Sequence, residues 1–398
     1  MILNPNILNT EVQSFLEEHL DSDLHRMILK GSPFENISVQ ELAEQIQSRR
    51  KCRLKLPLWW KTPGIIFPPS LNIEQSSSEK AAEYKASLVT GHRMIDLTGG
   101  LGVDSFYFSK RFDRVVHLEI DRKLQEIVRH NLRVLNVENA ECILGDSIDF
   151  LKSSNEKFDW VYVDPSRRGN EQERVFRLED CTPNLLENLD LIMSKAGNVL
   201  LKLAPFMDIS QALNQLKNVK EVHVLAIDNE VKELLFLISE KEPETTNIKA
   251  VNLSQDRTDV VASEMGSKSE IHYGPVSTYL YEPNAALRKA GLYSSLSSHY
   301  KLDKIHPNSH LFTGKELVDF PGRVFRVIKQ LKYSPKKVRK ELGLKRANIT
   351  TRNFQESVAE IRKRTGIKEG GEDFLFFTTD HLNNSIVLQC TKANALGS

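Results

Sequence analysis

The sequence predicts an α/β protein: a mostly parallel sheet between a helical N-terminal region and small α+β units near the C-terminal end. Two observations carry this. From Arg93 onward, short apolar runs (RMIDL, VVHLEI, AECILG, FDWVYVD, GNVLLKL) recur at intervals of roughly 20–40 residues. Between them lie amphipathic stretches such as DRKLQEIVRHNLRVL. Strands that alternate with helices pair in parallel, and the helices cover both faces of the sheet.

The elements follow in order. Leu8, Val12, Phe15, Leu16 and Leu20 recur at helical spacing after Asn9 and Thr10, which are placed to cap. Val39, Leu42, Ala43 and Ile46 form a second helical pattern behind Ser38, and Glu41 three positions on completes a capping box. RRKCRLKLPLWWKTPGIIFPP, with four prolines and a glycine, is expected to break regular structure. Ser76-Ser77-Ser78-Glu79 then opens a helix over KAAEYKASLV. After the alternating segment, EVHVLAID and KELLFLIS read as two strands joined by a turn, an antiparallel pair at the sheet edge. A polar stretch from Glu240 to Ser269 contains one strand-like piece, IKAVNLS. Gly274-Pro275 and Pro321-Gly322 open two further units. The expected division is a helical region over 1–78, the α/β domain over 79–270, a small domain over 271–321 and a basic domain over 322–398. The last residues, Asn394 to Ser398, are expected to be a tail without a role.

Composition narrows the function classes. Of 398 residues 40% are hydrophobic and 27% charged, enough for several cores. No apolar run approaches the roughly 20 residues a membrane span needs, and the N-terminus lacks the pattern of a signal peptide. The expectation is a cytoplasmic protein with no membrane partner. Four cysteines (Cys52, Cys142, Cys181, Cys390) stand far apart, which disfavours a disulfide framework and a zinc knuckle, so no metal is expected. The net charge of +1 hides a segregation: Arg323 to Lys368 holds fifteen Lys/Arg against three Glu. An excess of this kind on an otherwise acidic chain suits a polyanion-binding module. Lys336, Lys337, Lys340, Lys345 and Arg346 are its candidate phosphate contacts, giving affinity that weakens with salt. Trp59 and Trp60, beside Lys55 and Lys61, could stack an unpaired base, although at least one is expected in the core.

The most informative segment is Asp96-Leu97-Thr98-Gly99-Gly100-Leu101-Gly102, between an apolar strand and the helical run VDSFYFSKRF. A strand turning through glycines into a helix lets the backbone approach a ligand, with free N–H groups at the helix start. The spacing does not fit GxGxxG, which disfavours a nicotinamide oxidoreductase. The next strand ends in Glu119, 23 residues after Asp96, where a carboxylate is placed to hold ribose hydroxyls. The third ends at Gly145-Asp146-Ser147, where Asp146 can meet an adenine amino group.

At these residues the chain resembles class I S-adenosylmethionine-dependent methyltransferases, over roughly residues 79–240. The resemblance implies a Rossmann-like sheet, S-adenosylmethionine as cofactor, and Asp96, Thr98, Gly99, Gly100, Gly102, Glu119, Asp146 and Ser147 as its binding residues. Thr98 stands where many members have glycine. Strand four ends in Asp164-Pro165-Ser166-Arg167, similar to the Asn/Asp-Pro-Pro-aromatic motif of methyltransferases acting on amino groups of nucleic-acid bases. Accepting hydrogen bonds from an aromatic amine, through Asp164 and the Pro165 carbonyl, pushes its nitrogen toward a reactive tetrahedral geometry, and alignment supplies much of the remainder. Ser166 replaces the second proline and Arg167 the aromatic, whose stacking a guanidinium plane can take over. Lys202, ending strand five, is placed to face substrate.

The whole layout looks like a small bacterial methyltransferase family with a ferredoxin-like domain and a C-terminal THUMP-like domain. The matching words are KLPLWW, EQSSSE, DLTGGLGVD, VDPSRRG, LKLAP, YEPNAALRKAG and KRANITTRNFQESVAEIRKRTGIKEGGEDFLFF. This likeness implies RNA, tRNA or rRNA, as the partner and a nucleobase as the methyl acceptor, with a looped or single-stranded target favoured because a base inside a duplex must first be flipped out. The rivals are a small-molecule or protein methyltransferase and a non-catalytic RNA-binding protein that keeps the fold as a scaffold.

Overall fold

A computed structural model describes residues 4–167, 178–267 and 270–393. The chain divides into two compact units, one of residues 1–222 with 233–244 and the other of 223–232 with 245–398. The expected boundaries at 78/79, 270/271 and 321/322 are a finer division than these two units.

The first unit opens with helices α1 (Thr10–Glu18), α2 (Leu24–Lys30), α3 (Val39–Lys55), α4 (Pro57–Lys61) and α5 (Ser70–Gln75). Ile7 packs with Val12, Leu16, Met27, Leu42 and Ile46 of α1, α2 and α3 in one core. Ser38 and Glu41 make the expected capping box, which closes two otherwise unpaired donors at the start of α3. The expected break is later than the sequence suggested: α3 runs on through Lys55, because the prolines begin only at Pro57, which takes the first position of α4 where no N–H is needed. Trp59 is core, 1% exposed and edge-on to Phe106, while the Arg53 guanidinium lies over the Trp60 ring.

Then come α6 (Glu79–Ser87), β1 (Arg93–Asp96), α7 (Val103–Phe108), β2 (Arg114–Glu119), α8 (Arg122–Val134), β3 (Ala140–Leu144), α9 (Ser147–Ser153) and β4 (Phe158–Val163). A short ribbon pairs β5 (Ser166–Arg167) with β6 (Cys181–Thr182), followed by α10 (Leu185–Lys195), β7 (Ala196–Leu203) and α11 (Ile209–Gln215). The strands lie in the order β3-β2-β1-β4-β7, all parallel. The order reverses between β1 and β4, and ligands of open α/β sheets bind outside the carboxyl ends of strands at such a point.

The hairpin of β8 (Val219–Ile227) and β9 (Glu230–Ser239) is not the expected edge pair. β9 lies antiparallel against β7, with Leu234 to Ser239 facing Leu203 to Asn198. β8 is in turn flanked by β10 (Asn247–Leu253), and the polar stretch holds a second strand, β11 (Thr258–Glu264), paired with β10.

From Tyr279 onward the second unit is built on one seven-stranded sheet. Its elements are β12 (Tyr279–Pro283), α12 (Ala285–Ala290), α13 (Tyr293–Tyr300), β13 (Asp303–Lys304), β14 (Phe312–Gly314), β15 (Gly322–Lys332), α14 (Pro335–Leu342), β16 (Asn348–Arg352), α15 (Val358–Thr365), β17 (Phe374–Thr379) and β18 (Ser385–Lys392). The order is β13-β14-β12-β15-β18-β17-β16. The sheet crosses the expected 321/322 boundary through the β12–β15 pair, from Tyr279–Arg326 to Pro283–Gly322. Strand alternation sends Leu280, Phe325, Phe376 and Leu388 to one core and Leu375, Phe377 and Val387 to another, shared with Val338 and Ile361 of α14 and α15. No described helix is long and apolar enough to cross a membrane.

Candidate active site

The carboxyl ends of β1, β2, β3, β4 and β7 open into a cavity of about 880 Å³ within the first unit. Eight consecutive residues, Leu97 to Asp104, line it with the turn and the start of α7, as do Glu119, Asp146 and Ser147. Thr98, Gly99, Gly100, Gly102, Asp164, Ser166 and Lys202 are thus brought together as expected.

The glycine turn is shaped from behind. Gly100 and Gly102 have φ of +53° and +76°, in the left-handed region that favours glycine. Gly99 is required for space: a Cβ there would lie 2.2 Å from His117 Cε1. That imidazole is fully buried, and burial lowers its pKa to about 4, so it packs as a neutral ring. Its Nδ1 stands 3.0 Å from Ser105 Oγ, which donates to Asp96 Oδ2 at 2.7 Å.

Asp96 differs from the expectation. It is fully buried and does not line the cavity; Thr98 N–H donates to its Oδ1 at 3.0 Å. Burial, with some help from Asp104 and Asp164, raises its pKa to about 7. It braces the turn from beneath, tying the Thr98 N–H at the start of the turn to the Ser105 hydroxyl of α7. Pro165 is also buried outside the cavity lining.

Glu119, by contrast, is at the rim. Its Oε2 accepts Gly100 N–H at 2.9 Å and its Oε1 accepts Asp121 N–H at 2.8 Å, and burial raises its pKa. Asp146 is the N-cap of α9, accepting from Ile148 and Asp149 N–H at 2.8 and 3.0 Å. Its oxygen already has a structural task, but the residue still lines the cavity.

The opposite wall carries Asp104, Asp164 and Lys202 and is backed by the buried Lys85 and Glu233, which complete an ionic cluster. Lys202 pairs with Asp164 Oδ2 and stands 3.9 Å from Glu233. The Lys85 ammonium, with no solvent exposure, lies 2.9 Å from Asp104 Oδ1, 3.0 Å from Glu233 Oε2 and 2.5 Å from Ser77 Oγ. Tyr162 and Ser77 hydroxyls donate to Asp104 Oδ2 at 3.0 and 2.8 Å. Burial alone would raise the Asp104 pKa, but Lys85 and Lys202 hold it below the usual range. Burial raises the Asp164 carboxyl against the pull of Lys202 and Lys85, so it remains a better proton acceptor than an exposed aspartate. Burial would lower the Lys202 ammonium, yet Asp164, Glu233 and Asp104 outweigh it and push the group up. Two cations thus meet three carboxylates, leaving this wall with an excess negative charge.

Thr98 links the two walls. Its Oγ1 accepts the Asp164 backbone N–H at 2.7 Å, which ties the glycine turn to the end of β4. A glycine at 98 could not make this bond.

Sequence reasoning missed Asp104, Lys85 and Glu233, and the second rim formed by Thr182, Pro183 and Asn184. Asp104 is the last residue of the DLTGGLGVD word, so its position was visible but its partner was not. Lys85 and Glu233 meet only through the fold, 148 residues apart. Ser76 and Ser77 line the cavity, whereas Glu79 caps α4, accepting from Leu58 N–H at 2.7 Å. The Arg167 backbone pairs with Cys181, and its side chain, with residues 168–177, lies outside the described part, as does the tail 394–398. In the second unit, Lys336, Lys337 and Lys340 are exposed on α14 and Lys345 and Arg346 on the turn after it, with Val338 buried beneath.

Comparison with known proteins gives three family matches: "Conserved hypothetical protein 95" over 78–224, a ferredoxin-like domain over 279–321 and a THUMP domain-like match over 322–392. The crystal structure of a candidate methyltransferase from Porphyromonas gingivalis W83 is similar over 99% of this chain and 100% of its own, with a TM-score of 0.89 and 30% identity. An uncharacterised S-adenosylmethionine-dependent methyltransferase of Mycobacterium tuberculosis H37Rv is 24% identical over 281 residues, 68% of this chain and 72% of the relative. An uncharacterised RNA methyltransferase of Mycoplasma mobile is 26% identical over 142 residues, 34% of this chain and 39% of the relative.

Proposed function

The chain belongs to the bacterial family of class I S-adenosylmethionine-dependent methyltransferases that carry a ferredoxin-like and a C-terminal THUMP-like domain, and from that membership we propose that it methylates a nucleobase of tRNA or rRNA at an exocyclic amine. The observation that carries this reading is Asp164 at the carboxyl end of β4, in the same cavity as the glycine turn and Glu119.

The cavity suits the cofactor. Residues Leu97 to Gly102 offer backbone at close range, and Glu119 offers ribose acceptors. Asp146 and Ser147 line the side assigned to the adenine. Asp96 acts as a positioning residue under the turn rather than as a contact. When bound, the cofactor supplies a methyl group on a positively charged sulfonium. The excess negative charge of the Asp104, Glu233 and Asp164 wall favours a cation there.

Asp164 is the proposed acceptor of the amine's N–H hydrogens. Lys202 holds one of its oxygens and the Thr98 hydroxyl fixes its backbone, so the other oxygen is presented in one orientation. The amine proton released on methylation passes to this carboxylate, whose raised pKa makes it a stronger base than an exposed aspartate. Lys202 therefore serves Asp164, where the sequence suggested a contact to RNA. Carbon methylation of a pyrimidine ring calls for an enzyme nucleophile, usually a thiolate. No cysteine is among the described residues lining the cavity, and burial raises the nearest in sequence, Cys181, to about 11. This favours nitrogen as the atom methylated.

The test is transfer of a labelled methyl group from S-adenosylmethionine to unmodified total RNA. Wild-type protein should label RNA, and Asp164→Ala should lose turnover while still binding the cofactor at saturating concentration. An active Asp164→Ala protein would defeat the assignment.

A further inference from the structure

Two of the family's words, YEPNAALRKAG and the NITTRNF part of the last, take no part in the cavity, yet they meet at one place in the second unit. Glu282, near the end of β12, has a side chain 2% exposed and is shared by three arginines. Arg323 Nε lies 2.7 Å from its Oε2, while Arg352 Nη2 and Arg288 Nη1 lie 2.5 and 3.4 Å from its Oε1. Strand alternation explains part of the meeting: Glu282 is two residues from Leu280 and Arg323 two from Phe325, and both apolar residues share one core face. Arg288 comes from α12 and Arg352 from the end of β16.

Among the described residues, Glu282 is the single carboxylate within ion-pair distance of these guanidiniums, so the cluster keeps an excess of two positive charges. Further cations stand close by. The Lys304 ammonium lies 4.4 Å from the centroid of the Tyr293 ring, on which His310 stacks, and the Tyr293 hydroxyl donates to the Arg288 carbonyl at 3.2 Å. Neutralising one buried glutamate needs one arginine. The second and third add like-charge repulsion: after burial, Arg352 and Arg323 help to hold Arg288 below the ordinary arginine range. Arg352 Nε is buried without a partner. The arginine side chains are 28%, 44% and 29% exposed, so an incoming ligand can reach the forks while Glu282 stays hidden.

We propose that Arg288, Arg323 and Arg352, held by Glu282, bind a phosphate group of an RNA strand. Guanidinium forks match phosphate oxygens in pairs, and a buried carboxylate fixes their orientation without competing at the surface. The site differs from the exposed lysines of α14, whose ammonium groups are mobile point charges. It rests on the RNA reading above and adds to it a fixed point of contact.

The experiment uses the full chain, a fluorescent single-stranded RNA and the variants Arg288→Gln and Arg323→Gln, with thermal melting as a check on folding. Each variant should bind RNA about tenfold more weakly at about 0.15 M salt. Each should also lower the slope of log K against log salt by about 0.7, one phosphate contact for a single strand. Because each relieves repulsion, neither should melt at a much lower temperature. Inorganic phosphate at constant ionic strength should compete with RNA in the wild type and less in Arg323→Gln. Wild-type binding with unchanged affinity and slope in both folded variants would overturn the proposal and leave the RNA reading intact. Phosphate stabilising the wild type but not Arg323→Gln, with RNA affinity unmoved, would assign the site to free phosphate and overturn the RNA contact. A wild-type chain that binds no RNA would sink the RNA reading itself, before any variant is compared.

Discussion

Replacing Glu119 by alanine probes the cofactor site at a position with a defined hydrogen-bond inventory. The Glu119 oxygens accept the backbone N–H groups of Gly100 at 2.9 Å and Asp121 at 2.8 Å, and Ile120 N–H also faces the carboxylate. A carboxylate has about four lone-pair sites, so both oxygens keep acceptor capacity for a ribose diol. Hydrogen bonds to a charged acceptor contribute about 1.5–3 kcal/mol. Glu119→Ala should therefore weaken S-adenosylmethionine about 10- to 150-fold. Glu119→Gln keeps one acceptor oxygen, which must choose between backbone and ribose, and should fall between the two. Titration calorimetry on the full chain, with the cofactor and its demethylated product, measures both. The pH dependence has a defined sign. Burial raises the Glu119 pKa, so protonation removes the acceptor at a higher pH than for an exposed glutamate. Wild-type affinity should decline as pH falls through that range, and Glu119→Gln should not share the decline. Equal affinity in the wild type and Glu119→Ala would place the ribose away from the end of β2 and refute the site as drawn.

Three further outcomes follow from the same geometry. Gly99→Ala sets a methyl 2.2 Å from the His117 ring and should cost about 1–3 kcal/mol in denaturant unfolding; Gly99→Ala with His117→Ala should recover part of it, and no recovery would mean the clash lies elsewhere. Asp96 has a folded pKa of about 7, above its unfolded value, so the folded chain binds the extra proton between about pH 4 and 7 and loses stability as pH rises through that window, by about 1.4 kcal/mol per unit at most. Unfolding midpoints across this range should flatten in Asp96→Asn, and an unchanged slope would assign the effect to another group. Replacing Lys336, Lys337 and Lys340 together by glutamine should reduce RNA affinity and its salt slope while leaving cofactor affinity alone, and an unmoved slope would exclude α14 from the RNA surface.

The lysine variants are a cleaner test than removing the basic segment, for a reason the sequence did not display. Pro321-Gly322 stands where the ferredoxin-like match ends and the THUMP domain-like match begins, yet Gly322 also begins β15, which pairs with β12 from Gly322 to Arg326. Local composition reports where a chain turns and is silent about which strand it pairs with afterwards. The same limit explains the hairpin: β8 and β9 have the apolar content of buried strands, and only the register with β7 and β10 decides that they are interior. Conversely, the strand ends carrying Asp96, Glu119, Asp146 and Asp164 could be read in advance, because each is a short apolar run stopped by a carboxylate, a purely local pattern.

What the local pattern could not assign was division of labour among those acids. Asp96 has the same sequence signature as Glu119, yet one is sealed under the turn and the other stands at its rim. The difference arises from how the turn folds back: Thr98, two residues on, and Ser105, in α7, take up both oxygens of Asp96, and His117 of β2 fills the space behind Gly99. Lys202 illustrates the same point from the cationic side. A lysine at a strand end reads as a contact for a polyanion, but it stands beside a buried Asp164 and close to Glu233, and leaving these carboxylates without it would cost more than any gain from a distant phosphate. Lys202 is thus committed to Asp164, and the contacts to RNA proposed above lie outside the cavity, on the exposed lysines of α14 and the arginine forks around Glu282.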